Sequence, residues 1–153
     1  MITGAIISYL HFIAAIGVVC SVLFEWVIYS KNPSLIDARR LQMADMVYGV
    51  SAGLVLVFGF LRLFYFEKGV DFYFENQFYY VKLYVFAAVG IISVYPTIRF
   101  FKWRGATKAG DSPVVGHAEY TMVRWILRAE VVGLFVMILA ASMMAKGVGV
   151  DGG

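Results

Sequence analysis

The sequence predicts an all-α integral membrane protein: an up-down-up-down four-helix bundle with both termini on the outer side of the membrane. Two features of the composition support this class. Hydrophobic residues make up 61% of the 153 residues, compared with roughly 45–50% in an average protein. Charged residues make up 15%, compared with about 25%. A soluble domain of this size could not bury so much apolar surface, whereas lipid can act as its solvent.

Four apolar segments provide the membrane spans, because a helix needs roughly 20 mostly apolar residues to cross the hydrocarbon core. They cover residues 4–29, 44–66, 78–100 and 120–145, and together form a single transmembrane domain, residues 1–153. The glycine-containing stretch 102–119 is expected to be an exposed loop. Since the connections are short, consecutive helices should lie antiparallel.

The charges of the loops predict the orientation of the bundle. Basic residues concentrate after the first and third spans, at Lys31, Arg39, Arg40, Lys102, Arg104 and Lys108. Such loops face the cytoplasm, which places both termini and the turn between the second and third spans outside. That outer turn is rich in aromatic residues, which suit a belt at the headgroup boundary or, alternatively, a quinone-like ligand site.

Ionisable residues inside the spans are costly in hydrocarbon and mark functional positions by default. By depth they form two layers. The outer layer contains His11, Arg62, Tyr65 and Lys82, with Met137 and Met144 at a similar depth. The inner layer contains Glu25, Asp45, Tyr95, Arg99, Arg124, Arg128 and Glu130. In the inner layer the arginines should anchor the helices near the headgroups, and the three carboxylates should neutralise them.

The outer layer suggests a haem b site. Imidazole is a standard axial ligand of haem iron and methionine can be its partner, so His11 is the candidate metal ligand and Met137 lies at a suitable depth. Arg62 and Lys82 would match the propionates by charge, and Tyr65 by hydrogen bonding. A structural alternative is that His11 hydrogen-bonds across the bundle. Catalytic residues cannot be assigned from these positions.

Glycines on the second span predict a close helix contact. Gly49 and Gly53 form a GxxxG pattern, which lets two helix backbones approach each other. Packing within the bundle is expected rather than dimerisation, although a homo-oligomer is left open. The sequence shows no basic stripe with interleaved aromatics, so no nucleic-acid partner is expected.

The pattern of polar and aromatic residues resembles a bacterial membrane-protein family of unknown function within a copper-resistance-D-like superfamily. The resemblance covers nearly the whole chain. It rests on Leu10, His11 and Phe12; Ala38, Arg39 and Arg40; Ala44 and Asp45; Tyr48 and Gly49; Leu61 and Arg62; residues 65–69; Lys82 and Leu83; and Tyr95, Pro96, Thr97 and Arg99. It implies a location in the bacterial inner (cytoplasmic) membrane.

The chain also resembles, more distantly, the HemJ-type protoporphyrinogen oxidases. Their first span carries a histidine, as His11 does here, and their third span begins with an aromatic residue or histidine followed by Lys-Leu, as residues 79–83 do. This resemblance implies haem or porphyrin binding and a redox-related role. The alternative hypothesis is a non-enzymatic partner subunit or a small transport component for an ion such as copper.

Overall fold

The computed structural model describes residues 2–66 and 74–148, and these are almost entirely helical. The long helices are α1 (Ile2–Ile28), α2 (Leu35–Leu61), α3 (Gln77–Lys102) and α5 (His117–Ala145), and the short helix α4 (Arg104–Ala109) lies between α3 and α5. A π-helical turn, Arg62–Phe66, continues α2. The predicted all-α class is confirmed.

Four helical segments are long and apolar enough to cross a membrane, namely Ile2–Ile28, Leu35–Tyr65, Gln77–Ala109 and His117–Ala145. The four-span architecture is therefore confirmed. The end of the bundle that carries residues 29–34 and 102–116 is called the basic end here. Its location on the cytoplasmic side stays a prediction from the loop charges.

The long helices run antiparallel to their neighbours. Along α1 and α2, Gly17 meets Ser51 and His11 meets Gly59, so the chain positions run in opposite directions. Helix α3 pairs in the same way with α5, where Val89 lies against Gly133. Helix α5 also packs on α1, whereas the contact between α2 and α3 is sparse. The bundle is thus two tight helix pairs with one loosely closed side.

An aromatic core closes the basic end. The ring of Tyr29 is stacked on Trp103 and on Tyr120, with ring centroids 6.3 and 5.7 Å apart, and Phe100 packs against both Tyr29 and Trp103. Val115 joins this core from the segment between α4 and α5. The stretch 102–119 is largely exposed, as the sequence predicted, but it is not simply a loop, because residues 104–109 form α4 and the buried side chains of Trp103, Val115 and Glu119 attach it to the helix ends.

Glu119 connects the helices at this end. Its carboxylate forms a salt bridge with Arg99 and accepts a hydrogen bond of 3.2 Å from Trp103 Nε1. Arg124 donates to the carbonyl oxygens of Trp26 and Tyr29, at 2.9 and 3.2 Å. These carbonyls belong to the last turn of α1, where no further helical N–H is available. Two arginines of the inner layer are thereby used for structure.

The GxxxG glycines do not form the helix contact that the sequence predicted. A Cβ atom built at Gly49 or Gly53 would meet nothing within 4 Å. Close approaches occur at two other glycines: a Cβ at Gly17 would lie 2.4 Å from Ser51 Oγ, and a Cβ at Gly133 would lie 2.6 Å from Val89 Cγ2.

We expect Gly133→Ala to destabilise the bundle relative to Gly49→Ala. The added methyl group would overlap Val89, whose β-branched side chain has little rotamer freedom in a helix, and overpacking of this kind costs about 1–3 kcal/mol. Gly49→Ala is the matched control, because its methyl group enters open space. Thermal unfolding in detergent measures both, and equal midpoints for the two variants would show that α3 and α5 are not in close contact at Gly133.

Candidate functional site

A cavity of about 190 Å³ opens between α2 and α3 in the middle of the bundle. Val18, Leu134 and Met137 form its inner wall, from α1 and α5. Gly53 of α2 and Gly90 of α3 lie at its sides, and a Cβ atom at either would meet nothing within 4 Å. Both glycines are exposed, so the cavity is a cleft that opens toward lipid where α2 and α3 diverge.

Two hydroxyl groups form the polar end of this cleft. Tyr48 of α2 and Ser93 of α3 are both buried and line this end of the cleft. The Ser93 hydroxyl itself donates to the carbonyl oxygen of Gly90, at 2.8 Å. Because the Ser93 hydrogen is engaged in that bond, Tyr48 is the one of the two hydroxyls with a hydrogen to donate, either to Ser93 Oγ or, in exchange for it, to a ligand in the cleft.

Three carboxyl groups from three helices lie beside Tyr48. Glu25 of α1 and Glu130 of α5 are only 3% and 2% exposed. Asp45 of α2 accepts a hydrogen bond of 2.6 Å from Thr97 Oγ1. The three interact electrostatically with one another and with Tyr48. Of the buried polar atoms, Glu25 Oε1 and Glu130 Oε1 have no hydrogen-bond partner.

The prediction that these three carboxylates neutralise the inner-layer arginines is wrong. Within residues 2–66 and 74–148, none of the three forms a salt bridge with an arginine. Arg99 pairs with Glu119 instead, Arg124 caps α1, and Arg128 lies over the Trp125 ring, 5.3 Å from its centroid. The reason is geometric. The arginines lie closer to the helix ends, where a carboxylate and free carbonyl oxygens are available to them.

Glu25 and Glu130 lie further from the basic end, and they form no salt bridge in the described chain. Of the three carboxyls, Asp45 is the one that has a favourable electrostatic interaction with a cationic side chain, that of Arg104. An ionised carboxylate in such surroundings is costly, so these groups are suited to exchanging protons.

The predicted haem residues are distributed over several surfaces. The His11 ring packs against α2 at Gly59, where a Cβ would lie 3.4 Å from His11 Cε1. Arg62 lies 5.3 Å from the centroid of the Phe12 ring. Met137 lines the cleft, whereas His11, Arg62, Tyr65 and Lys82 do not.

Tyr65 and Lys82 also lie away from the cleft. Tyr65 is 76% exposed, and Lys82 Nζ lies 5.8 Å from the centroid of the Tyr79 ring. Within the described ranges, no three His, Cys, Asp or Glu side chains are placed to hold a metal ion. Haem binding stays a prediction.

Sequence reasoning missed the hydroxyl groups of the cleft. Tyr48 follows Asp45 by three positions, and Thr97 follows Ser93 by four, so each pair shares one helix face. Polar pairs at helical spacing inside an apolar span are therefore a sequence pattern that could have indicated these hydroxyl groups. Charge and ligand chemistry within the spans point to residues such as His11, Arg62 and Met137 and do not single out the hydroxyls of Tyr48 and Ser93.

The chain was compared with known proteins and known folds. Residues 3–149 match the family model described as "Predicted membrane protein (DUF2214)". Neither a curated protein nor a solved structure matches the chain. The resemblances to HemJ-type oxidases and to the copper-resistance-D-like superfamily stay predictions.

We expect Glu130→Gln to leave stability unchanged or to raise it, and Glu119→Gln to lower it. Gln is nearly isosteric with Glu. At position 130 it removes an ionisable group that forms no salt bridge in the described chain. At position 119 it weakens the bonds to Arg99 and Trp103, and hydrogen bonds to charged groups contribute about 1.5–3 kcal/mol. Thermal unfolding at neutral pH compares the variants. A loss at Glu130→Gln as large as that at Glu119→Gln would mean that Glu130 is ion-paired.

Proposed function

This chain belongs to the DUF2214 family of predicted membrane proteins, and we propose that it binds a lipid-soluble ring compound of the quinone class in the cleft between α2 and α3. The observation that carries the proposal is an apolar cleft open to lipid with a buried hydroxyl pair at its polar end. Three carboxyls interact electrostatically with Tyr48 of that pair without lining the cleft. Ligand sites are typically apolar pockets with a few placed polar groups, and this cleft has that composition.

The size of the cleft favours a single ring over a macrocycle. Its volume of about 190 Å³ is below the roughly 300–1,000 Å³ of pockets that enclose drug-sized ligands. A substituted ring would fill it, and an isoprenoid or alkyl tail would leave between Gly53 and Gly90 into the lipid. A ligand of this kind would reach the site from within the bilayer.

The polar end of the cleft matches the chemistry of a quinone. The Tyr48 hydroxyl can donate to a ring carbonyl oxygen, and Ser93 lies next to it. A quinone takes up protons when it is reduced, and Glu25, Asp45 and Glu130 interact electrostatically with Tyr48. The carboxyls do not line the cleft, so a proton that they supply while an external electron donor reduces the ring would pass through the Tyr48 hydroxyl.

Binding of a benzoquinone with a decyl side chain tests this function. We expect Gly53→Leu and Gly90→Leu to weaken binding by at least tenfold, because each side chain would occupy the cleft. Tyr48→Phe should weaken it by about threefold to tenfold, since a hydrogen bond contributes about 0.5–1.5 kcal/mol. Equilibrium dialysis in detergent measures the affinity.

The control for this experiment is Gly49→Leu. Gly49 lies one turn before Gly53 and also faces open space, but it does not line the cleft, so this variant should bind as the unmodified protein does. If Gly53→Leu and Gly49→Leu bind equally well, or if the unmodified protein binds no quinone, the proposal fails.

A second candidate is haem b or porphyrin binding with His11 as the iron ligand. The observation in its favour is that the His11 ring is packed into the bundle against Gly59 rather than turned to lipid. Protein expressed with ample haem should show a Soret band that is lost in His11→Ala and kept in His117→Ala, since His117 is exposed at the start of α5. Absence of the band in the unmodified protein would end this hypothesis.

A third possibility follows from the resemblance to the copper-resistance-D-like superfamily, namely a partner subunit or a small transport component for copper or another ion. Its support is that resemblance and the buried charges. Bound copper in the purified protein, without a Soret band, would favour it over haem.

A further inference from the structure

A second depression lies on the other side of α3, along its contact with α5. It is an apolar surface groove of about 460 Å³, and it includes the small residues Ala88, Ala129 and Gly133. Its base is closed, because Gly133 lies directly against Val89. The groove is thus a channel on the lipid-facing surface and does not communicate with the cleft between α2 and α3 through this contact.

One end of the groove carries a positive charge. Arg128 and Trp125 line this end, with the guanidinium 5.3 Å from the centroid of the indole ring. Arg128 is exposed, and no carboxylate of the described chain lies within salt-bridge distance of it. Arg99 and Arg124, by contrast, are engaged with protein groups.

The position of Arg128 suits the boundary between headgroups and acyl chains. It lies one turn further along α5 than Arg124, which bonds to the last carbonyl oxygens of α1. A tryptophan and an arginine together at such a level are typical of a membrane interface. The charged end of the groove is therefore placed where a lipid phosphate would be.

The length of the groove matches one leaflet. From Trp125 to Val136, a helix that rises about 1.5 Å per residue covers roughly 16 Å. The hydrocarbon core is about 30 Å thick, so each leaflet accounts for half of that. An acyl chain lying along the groove would extend from the headgroup level to the middle of the bilayer.

We propose that this groove binds one anionic phospholipid from the leaflet at the basic end, with its phosphate on Arg128 and one acyl chain along Ala129 and Gly133. The guanidinium supplies the charge that the anion requires, and the small residues leave the space that the chain fills. This site is separate from the proposed quinone cleft and does not depend on it.

Lipid retention by the purified full-length protein tests the proposal. The probes are phosphatidylglycerol and phosphatidylcholine with identical acyl chains, and native mass spectrometry counts the bound molecules. We expect a preference for phosphatidylglycerol that falls about fivefold in Arg128→Gln, which corresponds to about 1 kcal/mol for one basic residue near an anionic surface. Ala129→Phe should reduce retention of both lipids by filling the groove.

The matched control is Arg104→Gln. Arg104 is also an exposed arginine at the basic end and lies over an aromatic ring, that of Phe101 at 4.6 Å, but it is outside the groove. Equal losses in Arg128→Gln and Arg104→Gln, or no lipid preference in the unmodified protein, would overturn the proposal. Loss of a dimer in Ala129→Phe with unchanged lipid retention would instead assign the groove to a second copy of this chain, and would also overturn it.

Discussion

The buried carboxylate of Glu119 fixes the end of the bundle on which the rest of the structure depends. It binds Arg99 and Trp103 at the end of α3, and Trp103 in turn stacks on Tyr29 at the end of α1. Three of the four long helices are thereby held together at the basic end. Helix α2 joins them there, because Gln42 donates to the Phe100 carbonyl oxygen and Asp45 accepts from Thr97. Its contact with α3 can therefore be sparse elsewhere.

The same arrangement explains why the interior contains acids without basic partners. Arginine can reach toward a helix end with its long side chain, and here Arg99 and Arg124 do so and bind protein groups there. Glu25 and Glu130 have shorter side chains and stay inside the bundle. A membrane protein retains such groups at a cost. Their electrostatic interaction with Tyr48 is the basis of the role in proton exchange proposed above.

The four spans and their antiparallel order could be predicted from the sequence, because hydropathy reports the free energy of placing a whole segment in lipid. Hydropathy does not report how each helix is rotated about its axis. The relative depth and rotation of α3 and α5 decide whether Arg99 meets Glu130 or Glu119, and both are set by packing between helices that are distant in sequence. The burial of Trp103 was missed for a related reason, since glycines and charges around it predicted a loop.

Glycines in the spans occur both where two helices pack closely and where two helices leave open space, so the residue type alone does not predict which of the two is found. Gly17 and Gly133 lie where helices approach closely, whereas Gly53 and Gly90 leave open space between α2 and α3. The result is two openings toward lipid on opposite sides of α3. One ends at hydroxyl groups next to buried acids and suits a neutral ligand that exchanges protons. The other ends at Arg128 and suits an anion. If both proposals hold, the two sides of α3 select ligands by charge, although both are reached through the same apolar solvent.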